Sequence, residues 1–72
     1  MESTAKLELL AEAMDVDAES LHMEDLLSGF SEWDSLATLS YMSLLMAKCK
    51  KRVTPQDVRK LITVGDALAL ME

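Results

Sequence analysis

The stretch EWDSL, residues 32–36, marks the point where a long polar segment gives way to an apolar helical pattern. Asp34 is a good N-cap, because its carboxylate can accept a hydrogen bond from a free amide in the first helical turn. The helix that begins there is predicted to cover residues 35–49. Ser35 therefore stands where a long connection meets a helix.

A first helix and a long connection are predicted upstream of this stretch. Ser3 or Thr4 can cap the helix. Its apolar face is predicted from residues at helical spacing, which are Leu7, Leu10, Ala11 and Met14. Residues 15–34 form the connection, with a short helical turn expected near residues 24–28. Three leucines are expected to hold it against the core: Leu21, Leu26 and Leu27.

Two shorter helices are predicted downstream, each started by a threonine. Thr54 precedes Pro55 and can form a capping box with Asp57, and Thr63 can do the same with Asp66. Their apolar faces are predicted at Val58, Leu61 and Ile62, and at Val64, Ala67, Leu68 and Met71. The patterns together predict an all-α fold. It is a four-helix bundle with a long first loop and a short third helix, in a single domain over residues 1–72.

Composition argues against an enzyme. A chain of 72 residues buries a thin core, which leaves little room for a deep catalytic cleft. A nucleophilic Ser35 would need a base, and the one histidine, His22, lies thirteen residues upstream in an acidic segment. One cysteine and one histidine make no zinc ligand set, so we expect no metal site. The lone Cys49 excludes an internal disulfide and fits a reducing compartment such as the cytoplasm.

Charge is divided unevenly along the chain, whose net charge is −6. Residues 1–34 carry ten acids against one base, and residues 35–72 carry three acids against six bases. The acidic half argues against general nucleic-acid binding, and the short basic run at residues 50–52 is interpreted as a solvated connection after a helix. No apolar run approaches the length of about 18 residues that a membrane span requires.

The second helix has more apolar residues than one core face can use. One stripe is formed by Tyr41, Leu45 and Cys49, and an opposite stripe is formed by Leu36, Leu39, Ser43 and Met46. The second stripe, which lies next to Ser35, is interpreted as a partner-facing patch, although scattered exposed apolar residues are also common. Met42 and Met46 could form an adaptable binding surface. Trp33 either contacts a partner or packs partly against the bundle.

The chain resembles the acyl carrier protein family over nearly its whole length. The resemblance is carried by EWDSL at residues 32–36, VTPQD at residues 53–57 and TVGDALAL at residues 63–70. The DSL tripeptide alone is weak, but its place between a long loop and a helix is fairly specific. The family is a four-helix bundle whose serine is modified by a phosphopantetheinyl transferase, which uses coenzyme A and magnesium. The 4'-phosphopantetheine arm ends in a thiol that carries acyl groups as thioesters.

The resemblance also implies roles for individual residues. Ser35 would carry the arm, and Asp34 would help the transferase to recognise the site. Leu36 and Leu39 match positions that commonly touch partner enzymes, and Tyr41 and Leu45 match core positions. With Trp33, Met42 and Met46, the two leucines make up the predicted partner face. The expected partners of this monomer are acyl-ligase, ketosynthase or acyltransferase-type enzymes of a fatty-acid, polyketide or related pathway.

One departure from the family narrows the expected function. The second helix of a typical fatty-acid carrier is rich in Glu and Asp, whereas residues 35–49 contain no acid. This predicts a specialised carrier whose recognition is more apolar and less sensitive to salt. An aminoacyl or peptidyl carrier remains open, although Glu32 and Trp33 stand where peptidyl carriers usually have two glycines. An unmodified helical interaction module is the alternative from another class.

Overall fold

The described part of the chain is mostly helical. A computed structural model describes residues 2–72 and contains four α-helices, which are α1 (Ser3–Met14), α2 (Ser35–Leu44), α3 (Pro55–Arg59) and α4 (Val64–Ala69). No β-strand occurs within these residues, and the one β-bridge there joins Leu26 to Thr63. The predicted all-α class, the short third helix and the long first connection are therefore confirmed.

The second helix has the predicted extent but changes geometry near its end. After Leu44 the backbone continues as a π-helix over Leu45–Cys49, so helical structure covers residues 35–49 as expected. Lys50 then ends the helix in the left-handed conformation, at a φ of 57°. The widened last turn was not predicted, because its composition is compatible with an ordinary α-helix.

The start of α1 differs from the prediction. The N-cap position is Glu2, and its side chain makes no capping hydrogen bond. The Lys6 amide donates to the Glu2 carbonyl (3.0 Å), which places Ser3 and Thr4 inside the first turn rather than before it. Prediction of a cap at Ser3 or Thr4 was therefore wrong, since capping propensity alone does not locate the first helical hydrogen bond.

Both predicted capping boxes are present. Thr54 Oγ1 accepts a hydrogen bond from the Asp57 amide (3.2 Å), and Asp57 Oδ2 accepts one from the Thr54 amide (3.0 Å). At the start of α4, Thr63 and Asp66 exchange the same two hydrogen bonds, each 3.1 Å long. Asp66 also accepts a hydrogen bond from the Ile62 amide (3.2 Å). These contacts fix where α3 and α4 begin.

The Asp66 capping box should make stability depend on pH. Hydrogen bonds from the backbone of Thr63 and Ile62 hold the pKa of the Asp66 carboxyl below its ordinary value of 3.8. A carboxyl with a lowered native pKa stabilises the fold fully above its unfolded value, and this contribution is lost as pH falls through the lowered value. The urea midpoint should fall as pH decreases from about 5 to about 2, and we expect this fall to be smaller in Asp66→Asn. Equal pH slopes for the two proteins would contradict this account.

The core lies where α1, α2 and α4 meet. Its apolar residues are Leu9, Leu10, Ala11, Ala13, Met14, Leu21, Leu27, Ala37, Tyr41, Leu45, Val58, Val64, Ala67, Leu68 and Met71. The predicted faces of α1 and α4 are mostly confirmed by this set, with Leu7 only partly buried. Two predicted core contacts are wrong, because the side chains of Leu26 and Ile62 are 53% and 62% exposed.

The long connection is held to the rest of the fold by the buried side chains of Leu21 and Leu27, as predicted, and by backbone hydrogen bonds. The Leu27 amide donates to the Ile62 carbonyl (2.9 Å), and the Val64 amide donates to the Asp25 carbonyl (2.9 Å). This pairing lets the side chains of Leu26 and Ile62 point away from the core. The connection forms two 3-10 turns, at Ala18–Ser20 and at Leu27–Gly29, and the second overlaps the turn predicted near residues 24–28. These contacts fix the path of the connection and therefore the position of Ser35, which follows it.

Gly65 permits the closest approach between the connection and α4. The Gly65 amide donates to the Met23 carbonyl at 2.8 Å. A Cβ atom at position 65 would lie 3.1 Å from that carbonyl oxygen. A larger residue would push the connection away from α4, because the neighbouring atom is backbone and cannot rotate aside.

Candidate functional site

Ser35 is an exposed residue in the first position of α2. The preceding Asp34 caps the helix as predicted, with its Oδ1 accepting a hydrogen bond from the Ala37 amide (2.9 Å). Thr38 Oγ1 donates to the Ser35 carbonyl (2.8 Å) one turn later. The backbone around Ser35 is therefore fixed on both sides, while its side chain faces solvent.

Two opposing charges act on Ser35. The first amides of a helix have no intrahelical acceptor, and the helix dipole is positive at that end. The neighbouring Asp34 carboxylate is negative and already accepts the Ala37 amide, so it offsets part of this positive charge. The His22 imidazole contacts Asp25 in its own loop, with 3.4 Å between Nδ1 and Oδ2. The structure does not pair His22 with Ser35 as a general base.

A groove of about 370 Å³ opens beside Ser35 and is called the Ser35 groove below. Thr38, Leu39 and Met42 line it from α2. Val58 and Arg59 line it from α3. The groove has the size of a small ligand pocket, and its lining mixes apolar side chains with a few polar groups. It could accept part of a flexible, largely apolar group attached at its rim.

Trp33 packs partly against the core, which was one of the two predictions made for this residue. Its ring is half-buried and meets the Tyr41 ring edge to face, with centroids 5.6 Å apart and planes at 75°. Trp33 also lines the Ser35 groove. The residue therefore joins the candidate site to the core.

Tyr41 ties the centre of α2 to α4. The Tyr41 side chain is fully buried, and its hydroxyl donates to the Ala67 carbonyl at 2.6 Å. Burial raises the pKa of the Tyr41 phenol far above its ordinary value, and the nearby Cys49 raises it further. The hydroxyl is therefore a neutral donor at physiological pH, and it satisfies a backbone acceptor inside the core.

The two apolar stripes of α2 face opposite environments. In the predicted core stripe, Tyr41 and Leu45 are buried and Cys49 is half-buried. On the other side the exposed fractions are 73% for Leu36, 58% for Leu39 and 43% for Met46. The predicted separation of a core stripe from an exposed apolar stripe is confirmed.

The exposed stripe does not form one continuous site. Leu39 and Met42 line the Ser35 groove, together with Trp33. Leu36 lies on a neighbouring face, in a shallow depression that it shares with Asp34 and Ala37. Met46 lies at the other end of the helix in a second groove. The predicted partner face is therefore spread along α2 rather than gathered at Ser35.

Seven residues of the Ser35 groove were not among the predicted site residues, and they are Leu27, Ser28, Thr38, Pro55, Val58, Arg59 and Leu61. Thr38 stands three residues after Ser35, so helical spacing alone could have placed both on one face of α2. Arg59 lines the groove from α3, a separate helix. No local sequence pattern predicts that approach.

The described residues contain neither a membrane-spanning helix nor a metal-ligand cluster. None of the helices within residues 2–72 is both long and apolar enough to cross a membrane. Over the same residues, no cluster of three or more His, Cys, Asp or Glu side chains could hold a metal ion.

Comparisons with protein-family models, with curated proteins and with solved structures found no match for this chain.

Proposed function

We propose that this chain is an acyl carrier protein with a 4'-phosphopantetheine arm on Ser35, and that its four helices form the bundle of that family. The observation that carries the proposal is the position of Ser35. It is an exposed serine at the capped start of α2, on the rim of a partly apolar groove. In that position, a hydroxyl that can be modified lies next to a groove that can bind the acyl group carried by the arm.

Each nearby residue has a role in this proposal. The Ser35 hydroxyl is the acceptor for the phosphopantetheinyl group of coenzyme A, and Asp34 holds the helix start that presents it. The free amides of the first turn stabilise the phosphodiester. When attached, the arm supplies a thiol that holds an acyl group as a thioester. Delivery on a tether then raises the effective concentration of that group at each partner enzyme.

The Ser35 groove is the place where an apolar acyl chain would be sheltered. Leu39 and Met42 on α2 and Val58 on α3 provide apolar contacts for the chain. The Arg59 side chain lines the same groove and provides a positive charge there. An acyl group bound there is protected from water until a partner enzyme withdraws it.

Partner enzymes would approach the exposed side of α2. Leu36 and Leu39 are the most exposed large apolar residues of that helix, and α2 contains no carboxylate. The proposed partners are a phosphopantetheinyl transferase and acyl-ligase, ketosynthase or acyltransferase-type enzymes. We further propose that the protein acts as a monomer in the cytoplasm and serves one dedicated fatty-acid, polyketide or related pathway.

Two other functions use the same features. An aminoacyl or peptidyl carrier would use Ser35 identically and differ only in cargo. An unmodified interaction module would use the exposed stripe of Leu36, Leu39 and Met46 without any modification of Ser35. The exposure of that stripe favours this second candidate over the first.

Modification of Ser35 is the test that separates a carrier from an interaction module. The protein is incubated with a promiscuous phosphopantetheinyl transferase, coenzyme A and magnesium, and its intact mass is recorded. We expect one phosphopantetheinyl addition, complete loss of that addition in Ser35→Ala, and full addition in the control Ser40→Ala. No addition to the original chain, under conditions that modify a known carrier, would favour the interaction module.

A further inference from the structure

A second groove lies at the C-terminal end of α2, away from Ser35. Its volume is about 410 Å³. Met42, Met46 and Ala47 form its apolar side, and Lys51 and Arg52 form its charged side. It shares only Met42 with the Ser35 groove. We call it the basic groove.

The π-helical turn shapes this groove. The backbone over Leu45–Cys49 is π-helical, and Lys50 reverses the chain in the left-handed conformation. The Lys51 amide then donates to the Leu45 carbonyl at 3.1 Å. This hydrogen bond holds Lys51 and the residue after it beside the end of the helix. Short π-helical segments are rare and often occur at functional sites.

The charges around the groove are not matched within the described chain. Lys48, Lys50, Lys51 and Arg52 form a cationic cluster, and neither of the ion pairs found in residues 2–72 includes any of them. The C-terminus of a helix dipole carries only about half a negative charge. It can therefore offset only a small part of this positive charge. The remaining charge is available to an external anionic group.

We propose that the basic groove binds an acidic amphipathic helix of a partner protein. An apolar side chain of that helix enters between Met42 and Met46, and flanking carboxylates face Lys51 and Arg52. The flexible methionines suit a surface that packs against a partner side chain. The apolar side of the groove also favours a protein helix over nucleic acid, because proteins bind nucleic acid mainly through basic side chains that contact phosphates. Binding does not require modification of Ser35, and the two grooves share one residue, Met42.

Titration with designed peptides tests the proposal. Two peptides of about 18 residues are used, which is long enough for a helix. The acidic peptide carries a stripe of Leu and Met flanked by Glu, and the basic peptide has Lys in place of each Glu. Each is added to isotope-labelled Ser35→Ala protein while backbone amide and methionine methyl resonances are followed. We expect saturable shifts centred on Met42, Met46 and Val53 with the acidic peptide and none with the basic one.

Charge-reversal variants then locate the interaction. Arg52→Glu should weaken binding of the acidic peptide by about tenfold. Lys60→Glu makes the same change in net charge outside both grooves and should retain the affinity. Equal weakening by both variants would indicate an effect of net charge alone and would overturn the proposal.

Three other results would also overturn it. The first is an absence of saturable shifts with the acidic peptide, and the second is equal binding of both peptides. The third is binding to vesicles of anionic lipid that displaces the acidic peptide, since the groove would then be a membrane contact. None of these results bears on loading of Ser35, which is measured separately by intact mass.

Discussion

Replacement of Tyr41 by alanine should remove most of the stability of the fold. The Tyr41 side chain is fully buried, its ring meets Trp33 edge to face, and its hydroxyl donates to the Ala67 carbonyl at 2.6 Å. Truncation of a large buried aromatic residue costs about 3–5 kcal/mol. A single core in a domain of this size rarely supplies more than about 3–5 kcal/mol of stability. We expect Tyr41→Ala to be largely unfolded at 37 °C.

Two further variants separate the contribution of the Tyr41 hydroxyl from that of its ring and compare Tyr41 with an exposed residue. Tyr41→Phe keeps the ring and leaves the buried Ala67 carbonyl without its donor, at a cost of about 1–3 kcal/mol. Leu39→Ala changes an exposed residue of the same helix and should alter stability by no more than about 0.5 kcal/mol. Urea denaturation followed by helical circular dichroism measures all three. Equal midpoints for Tyr41→Ala and Leu39→Ala would contradict the assignment of Tyr41 to the core.

Loading with a longer acyl chain should stabilise the protein through the Ser35 groove. Each buried methylene group contributes about 0.8 kcal/mol. A hexanoyl chain has about four more of these groups than an acetyl chain, and a groove open on one side buries only part of them. We expect the hexanoyl form to exceed the acetyl form in unfolding free energy by about 1–2 kcal/mol. Thermal or urea denaturation of the two loaded forms gives the difference.

A pair of phenylalanine variants shows whether that gain comes from the groove. Thr38 lines the Ser35 groove, so Thr38→Phe should fill it and abolish the difference between the two loaded forms. Ser40, on the same helix, lies outside that lining, and Ser40→Phe should retain the difference. Equal stability of hexanoyl and acetyl forms in the original chain would show that the groove does not shelter cargo.

Prediction from the sequence succeeded where local chemistry decides the structure. Asp34, Thr54 and Thr63 begin their helices as expected, because a short polar side chain can satisfy the free amides of the turn that follows it. The burial of Tyr41 and the exposure of Leu36 follow from helical spacing, because α2 has apolar residues on two faces and only one of them can face the core. These features depend on residues within a few positions of one another.

Prediction failed where the outcome depends on distant segments. Leu26 and Ile62 look like core residues, but backbone pairing between their two segments turns both side chains outward. Arg59 joins the Ser35 groove from α3, a separate helix, and no local pattern encodes that approach. The π-helical turn at Leu45–Cys49 similarly has no compositional signal. The position of Ser35 was therefore predictable, whereas the groove beside it was not.

The most direct test of the central claim is the mass of the protein as its own cells make it. The chain is isolated at neutral pH, and its intact mass is recorded before and after treatment with neutral hydroxylamine, which cleaves thioesters. The account predicts a phosphopantetheine arm with an acyl group on the peptide that contains Ser35, and hydroxylamine should remove only the acyl group. A chain without modification at Ser35, in cells that modify another carrier, would contradict the account.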